Sequence, residues 1–358
     1  MTSAGGETLR ASAVFNLSRA NTLVIDDSAI SLSLTTEALR GFGIEARYIC
    51  RSAAEAIAVL MDHPVDLLIV ACEMPGMNGH ELVRWLRNSR LEPNAYVPVI
   101  MTAGHARAST VEEVRACGAN VLIQKPFKAE VLLHHVIRVA RDNRPFIETS
   151  DYSGPDRRFN VSEPRDRDER RRDMIRLAAL RSRRLDGVPL PPKKDPEPDT
   201  VVWQSRRSRL STLINDPGGL SVGTALLQAR SNLQALQSQS QEIVSTRIAD
   251  LVRLQEPSSD HPDPQRVLAE AYRLSSAVID AASPFERVDL CTAASGLCDL
   301  IDAAMPDTPF DWRIVTVHAQ ALQLIQGLPP EADAERAEVL ANLRLVLERR
   351  RPLNLDDL

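Results

Sequence analysis

Five times between residues 21 and 141, a short apolar run gives way to an amphipathic segment of at least ten residues. The runs fall at 22–25, 45–49, 67–70, 97–102 and 120–124, and the segments at 28–40, 52–61, 79–88, 107–117 and 128–141. Runs this short and continuously apolar are strands buried on both faces, and the segments between them are helices. Connections of helical length are not hairpins. They cross over, right-handedly, and lay the strands parallel. The alternation constrains residues 21–142 to a doubly wound α/β domain.

After residue 142 that rhythm stops. From 143 to 200 Pro, Arg and Asp dominate, ending in VPLPPKKDPEPDT, the composition of an extended linker with a short helical patch expected at 174–185. Beyond it the pattern turns helical. Leu226, Ala229, Leu233, Leu236 and Ile243 recur at spacings of three, four and seven, which predicts one long amphipathic helix. Further helices are expected at 264–280, 284–304, 310–326 and 331–350. The expected organisation is an N-terminal tail at 1–20, the α/β domain at 21–142, a linker at 143–200 and an all-α domain at 201–358.

Composition narrows the function classes. A formal charge of −5 gives no general reason for nucleic-acid binding. The five cysteines, Cys50, Cys72, Cys117, Cys291 and Cys298, are odd in number and form no CxxC, so neither a disulfide framework nor a zinc site is indicated. The first 20 residues lack a signal-peptide apolar core, and no apolar run reaches the length of a membrane span. A reducing cytoplasm is the expected compartment, with no membrane partner.

The carboxyl ends of the strands carry the informative residues, because in a doubly wound sheet they converge on one crevice. LVIDDS places Asp26 and Asp27 at the first end, MPGMNG follows the third, VIMTAG places Thr102 at the fourth, and QKPF places Lys125 after the fifth. With these motifs, residues 20–142 resemble the response-regulator receiver domains. The resemblance implies a five-stranded sheet of order 2-1-3-4-5. It also implies an acidic pair that holds Mg²⁺, a lysine that balances phosphoryl charge and a hydroxyl that reports its arrival. Its phosphate acceptor is an aspartate three residues before the Met-Pro pair. Counting back from Met74-Pro75 gives Ala71, and a methyl group neither attacks phosphorus nor ligates a metal.

Asp66 is no substitute, since it starts the strand about 15 Å away. Glu73 is placed at the crevice but not in line for attack. The switch aromatic of the family, three residues before the lysine, is here Leu122. The expectation is a degenerate, non-phosphorylatable receiver, with Asp26 and Asp27 holding Mg²⁺ weakly at most.

Two further segments carry weaker resemblances. Tyr-Ser-Gly-Pro-Asp156-Arg157-Arg158 resembles the run that follows many alphaproteobacterial receiver domains, and the arginines around it resemble the tails of chemotaxis-type receivers that bind cyclic di-GMP. Guanidinium forks suit phosphates and the guanine edge. The other reading is a solvated polyampholyte linker, because Asp and Glu alternate closely with the arginines; the same acids argue against nucleic acid. In the helical part, LAEAYRLSSA resembles the histidine phosphotransfer motif with Tyr272 at the histidine position. The bland alternative is an ordinary amphipathic helix. His318 is expected to be a packing residue. Together these point to a two-component or chemotaxis-type signalling protein that works through protein partners without catalysis, with a cyclic di-GMP-responsive regulator as the alternative.

Overall fold

The computed structural model describes residues 10–89, 91–104, 108–125, 127–149, 152–156, 202–204, 208–257, 264–304, 310–329 and 331–348. It divides into two compact units, Met1–Ile123 with Ala129–Leu233, and Gln124–Lys128 with Gln234–Leu358.

In chain order, the first unit runs β1 (Val14–Phe15), β2 (Thr22–Ile25), α1 (Ala29–Gly41), β3 (Tyr48–Cys50), α2 (Ala53–Asp62), β4 (Leu67–Ala71) and α3 (Gly79–Arg87). It continues through β5 (Val99–Ala103), α4 (Ala108–Cys117), β6 (Val121–Gln124) and α5 (Ala129–Ala140). Five strands form a parallel sheet of order β3-β2-β4-β5-β6, the 2-1-3-4-5 order expected. Every residue of β2, β4 and β5 is buried, as their unbroken apolar runs require. Helix starts are fixed locally. Ser28 caps α1, Ser52 caps α2, and Asn78 forms a reciprocal capping box with Glu81 on α3.

The unit is larger than the sequence pattern indicated. Residues expected to be a tail contribute β1, which pairs antiparallel with β10 (Leu220–Ser221), and bury Phe15 and Leu17. The expected linker contains β7 (Phe146–Glu148) and β8 (Ser153–Pro155). These join β9 (Val202–Gln204) in a three-stranded antiparallel sheet with β7 at its centre. The helical patch expected at 174–185 lies outside the described residues. A short α6 (Arg209–Leu213) and α7 (Val222–Ala235) follow. α7 crosses α1 so closely that a Cβ on Gly41 would lie 2.3 Å from the backbone of Ala229, so only glycine permits this approach. Asn232 Nδ2 donates to the Glu37 carbonyl, and Arg230 pairs with Glu130 of α5. The single helix expected through 226–243 is broken at Leu236, and the boundary between units falls after Leu233 and not at 200.

Arg87 ties the β7–β8 hairpin to the five-stranded core. Arg87 is 1% exposed, and its guanidinium is held by backbone carbonyls. Nε donates to the Gly118 carbonyl at 3.0 Å, and Nη1 and Nη2 donate to Ala95 and Val97 at 2.7 Å each. The Phe146 ring lies 5.4 Å away, and Ser153 Oγ donates back to the Arg87 carbonyl. Burial lowers its pKa to about 10, which still leaves it protonated at neutral pH.

In the second unit, α8 (Gln237–Arg253) packs on α9 (Pro264–Ala282), α9 on α10 (Val288–Asp302), and α10 on α11 (Arg313–Gly327). Helix α11 returns to α8, closing a four-helix bundle, and α12 (Asp333–Glu348) packs on α10 and α11. Ser240 is buried and donates to the Ala281 carbonyl across the α8–α9 contact. The cysteines are all buried, and burial pushes the Cys50 and Cys291 thiols up to about 11 and about 12, so neither forms a thiolate at neutral pH.

His318 is fully buried on α11. Its Nδ1 shares a hydrogen bond of 2.9 Å with the Ile314 carbonyl, and its Nε2 meets no donor. Burial lowers its pKa below the ordinary 6.5. The unfolded chain therefore binds this proton more readily than the folded one, and stability falls as pH drops below about 6.5, by at most about 1.4 kcal/mol per pH unit. Hydrogen exchange of α11 amides at descending pH should show this loss, and His318→Leu should flatten it without weakening the bundle at pH 7.

Candidate functional site: the strand ends of the α/β unit

The crevice is built by register. Ile25 pairs with Val70, so Asp26, the next residue, sits level with Ala71. Ala71 pairs with Thr102 on the other side. Neighbouring strands lie about 4.8 Å apart, so these three residues form one row across β2, β4 and β5. The structure thus brings together Asp26, position 71 and Thr102, each no more than 5% exposed. The loop after Ala71 closes through the Gly79 N–H to the Cys72 carbonyl at 2.9 Å, and a Cβ on Gly79 would lie 2.0 Å from the Ala71 carbonyl oxygen. That contact makes the second glycine of MPGMNG obligatory.

The row does not form a metal site. Asp26 Oδ1 accepts the Ser28 N–H at 3.0 Å, and Oδ2 accepts the Ser31 hydroxyl at 2.5 Å, so both oxygens fasten the start of α1. Ala71 belongs to the buried apolar core of the unit. Asp27 is half-buried, and its carbonyl accepts from Arg51. Glu73 is exposed on the loop. Among the described residues, no group of three or more His, Cys, Asp or Glu side chains is gathered as a metal would require. The donors present do not fit the Mg²⁺ that the resemblance implied. Asp66 is far from the row at the start of β4, accepting from the Asn21 N–H and paired with Arg209 at 2.8 Å.

Lys125 follows β6, as its motif placed it, yet it belongs with the second unit. It is 7% exposed and its Nζ lies 2.7 Å from Asp280 Oδ1 on α9. Sequence reading passed over Asp280 because a single acid near the end of an amphipathic helix looks like a solvated residue. The available signal was the D-x-x-S-x-x-E spacing of Asp280, Ser283 and Glu286. Leu122 packs partly buried against the core.

Of the nucleotide-binding candidates, Asp156 is 5% exposed, its N–H donates to the Pro145 carbonyl, and its charge acts on Arg144. Arg157 and Arg158 lie outside the described residues. Tyr272 is half-buried in the middle of α9. No helix among the described residues is long and apolar enough to cross a membrane.

Comparison with known proteins agrees with this geometry. The family model for the response regulator receiver domain matches residues 22–137. The chain is 28% identical over 118 residues to the chemotaxis protein CheY of Pseudomonas aeruginosa, covering 33% of this chain and 93% of that one. It is 26% identical over 104 residues to the polar-differentiation response regulator DivK of Brucella ovis, covering 29% and 82%. Among solved structures, CheY4 of Vibrio cholerae matches with 28% identity, 34% and 98% coverage and a TM-score of 0.32. On the strand order, the strand-end residues and the family-model match, residues 22–137 are a response regulator receiver domain.

Proposed function

We propose that this chain is a two-component-type signalling protein whose receiver domain is not phosphorylated and acts by protein–protein interaction. The observation that carries the reading is the methyl group of Ala71, level with Asp26 and Thr102, where the receiver resemblance requires the acceptor carboxylate. The engagement of both Asp26 oxygens by Ser28 and Ser31 supports it, since with Ala71 in place the row offers a metal no second carboxylate. In the bundle of α8 to α11, the resemblance to the histidine phosphotransfer motif assigns Tyr272 to the histidine position.

The reading is tested by hydrogen exchange of the full chain with and without Mg²⁺ and acetyl phosphate. Exchange in β4, β5 and the Gln124–Lys128 loop is expected to be the same under both conditions. Selective slowing at the strand ends on adding the phosphate donor would overturn it.

A further inference from the structure

Within the second unit, the loop Gln124–Lys128 is gripped at three points. Lys125 pairs with Asp280 at 2.7 Å, the Phe127 N–H donates to Ser283 Oγ at 3.0 Å, and Lys128 pairs with Glu286 at 2.6 Å. The gripping residues recur every third position through the end of α9 and the 3-10 turn Ser283–Phe285 that follows it. Spacing of three eclipses side chains on one edge of such a turn. The three contacts therefore run along loop and turn in the same order.

The contacts differ in kind. The Lys128–Glu286 pair is exposed, at 61% and 67%, and contributes little to stability. The Lys125–Asp280 pair is not, with side chains 8% and 7% exposed. A desolvated pair of this sort is a poor way to gain stability compared with apolar packing, but it fixes one register and is costly to break from one side.

We propose that Asp280, Ser283 and Glu286 form an internal latch on the lysine loop, with Asp280 supplying Lys125 with the carboxylate that position 71 lacks. Control then passes from phosphate to the helix. Lys125 is withheld while α9 holds the loop, and its ammonium becomes accessible when α9 lets go. The proposal rests on the reading of Ala71 as a silent acceptor position.

The chain has four lysines, Lys125, Lys128, Lys193 and Lys194, which makes amine acylation of the full chain a clean probe. Peptide mass spectrometry of the wild type should show Lys125 labelling about tenfold more slowly than its exposed neighbour Lys128, as a locally protected group does. Asp280→Asn should bring Lys125 close to the Lys128 rate. Ser283→Ala with Glu286→Gln leaves the buried pair in place and should raise the Lys125 rate about threefold by loosening the loop. That double variant decides the matter if Asp280→Asn unfolds the bundle. Equal labelling of Lys125 and Lys128 in the wild type, or an unchanged Lys125 rate in the double variant, would overturn the latch. Phosphorylation of the wild-type strand ends would instead sink the silent-acceptor reading and leave these labelling rates as they are.

Discussion

Replacing Arg87 by methionine will destabilise the first unit by about 3–5 kcal/mol, among the largest losses a single substitution in it can cause. Methionine fills much of the volume, so the loss is electrostatic rather than a cavity effect. The guanidinium is the donor for three carbonyls, of Gly118, Ala95 and Val97, that come from two separate segments. Each carbonyl left dry costs about 1–3 kcal/mol, reduced where water enters. Arg87→Lys should lose most of the same amount, since one ammonium does not reach three diverging acceptors in the planar geometry a guanidinium provides. Denaturant unfolding measures both. The β7–β8 hairpin should lose its hydrogen-exchange protection first, because Phe146 and Ser153 rest on the same side chain. A loss below 1 kcal/mol would mean that the three bonds are not made in solution.

Ala71→Asp is expected to cost about 3 kcal/mol in the absence of divalent metal. The new carboxylate would enter a site 5% exposed, within the buried apolar core and level with the carboxylate of Asp26. Burial and the like charge both oppose ionisation there. Mg²⁺ should return part of the loss, because two facing carboxylates make the ligand pair that one does not. The wild type should melt at the same temperature with Mg²⁺ as with chelator. If Mg²⁺ leaves the variant unmoved, position 71 and Asp26 do not face a common space.

The sheet and its strand ends were legible because their signals are local and strong. Unbroken apolar runs mark buried parallel strands, and Asp26, Thr102 and Lys125 each follow directly from one. β1, β7, β8 and β9 were not legible, because strands of two or three residues are shorter than any window in which a period can be seen. The helix break at Leu236 was hidden for the opposite reason. The apolar positions keep their helical spacing through it, so the pattern gives no sign that the chain changes unit there.

Non-local partners account for the remaining differences. Arg87 has the sequence context of a basic residue in the last turn of a helix, where a solvent-facing side chain favours the helix dipole. Its burial follows from carbonyls supplied by later segments. Lys125 follows the last strand of its motif, but its carboxylate lies 155 residues further along the chain and has no motif of its own. Asp26 was read as a metal ligand from its position at a strand end. The hydroxyl of Ser31, one turn into α1, donates to one Asp26 oxygen, and Ala71 leaves Asp26 without a second carboxylate in the row.

The most direct test of the silent receiver is covalent. The full chain is incubated with acetyl phosphate and Mg²⁺ and its intact mass measured, with hydroxylamine used to release any acyl phosphate. The structure predicts no added phosphoryl group, because the row of Asp26, Ala71 and Thr102 holds no acceptor carboxylate in line at position 71. A hydroxylamine-labile phosphoryl group mapped to the strand ends would contradict the account.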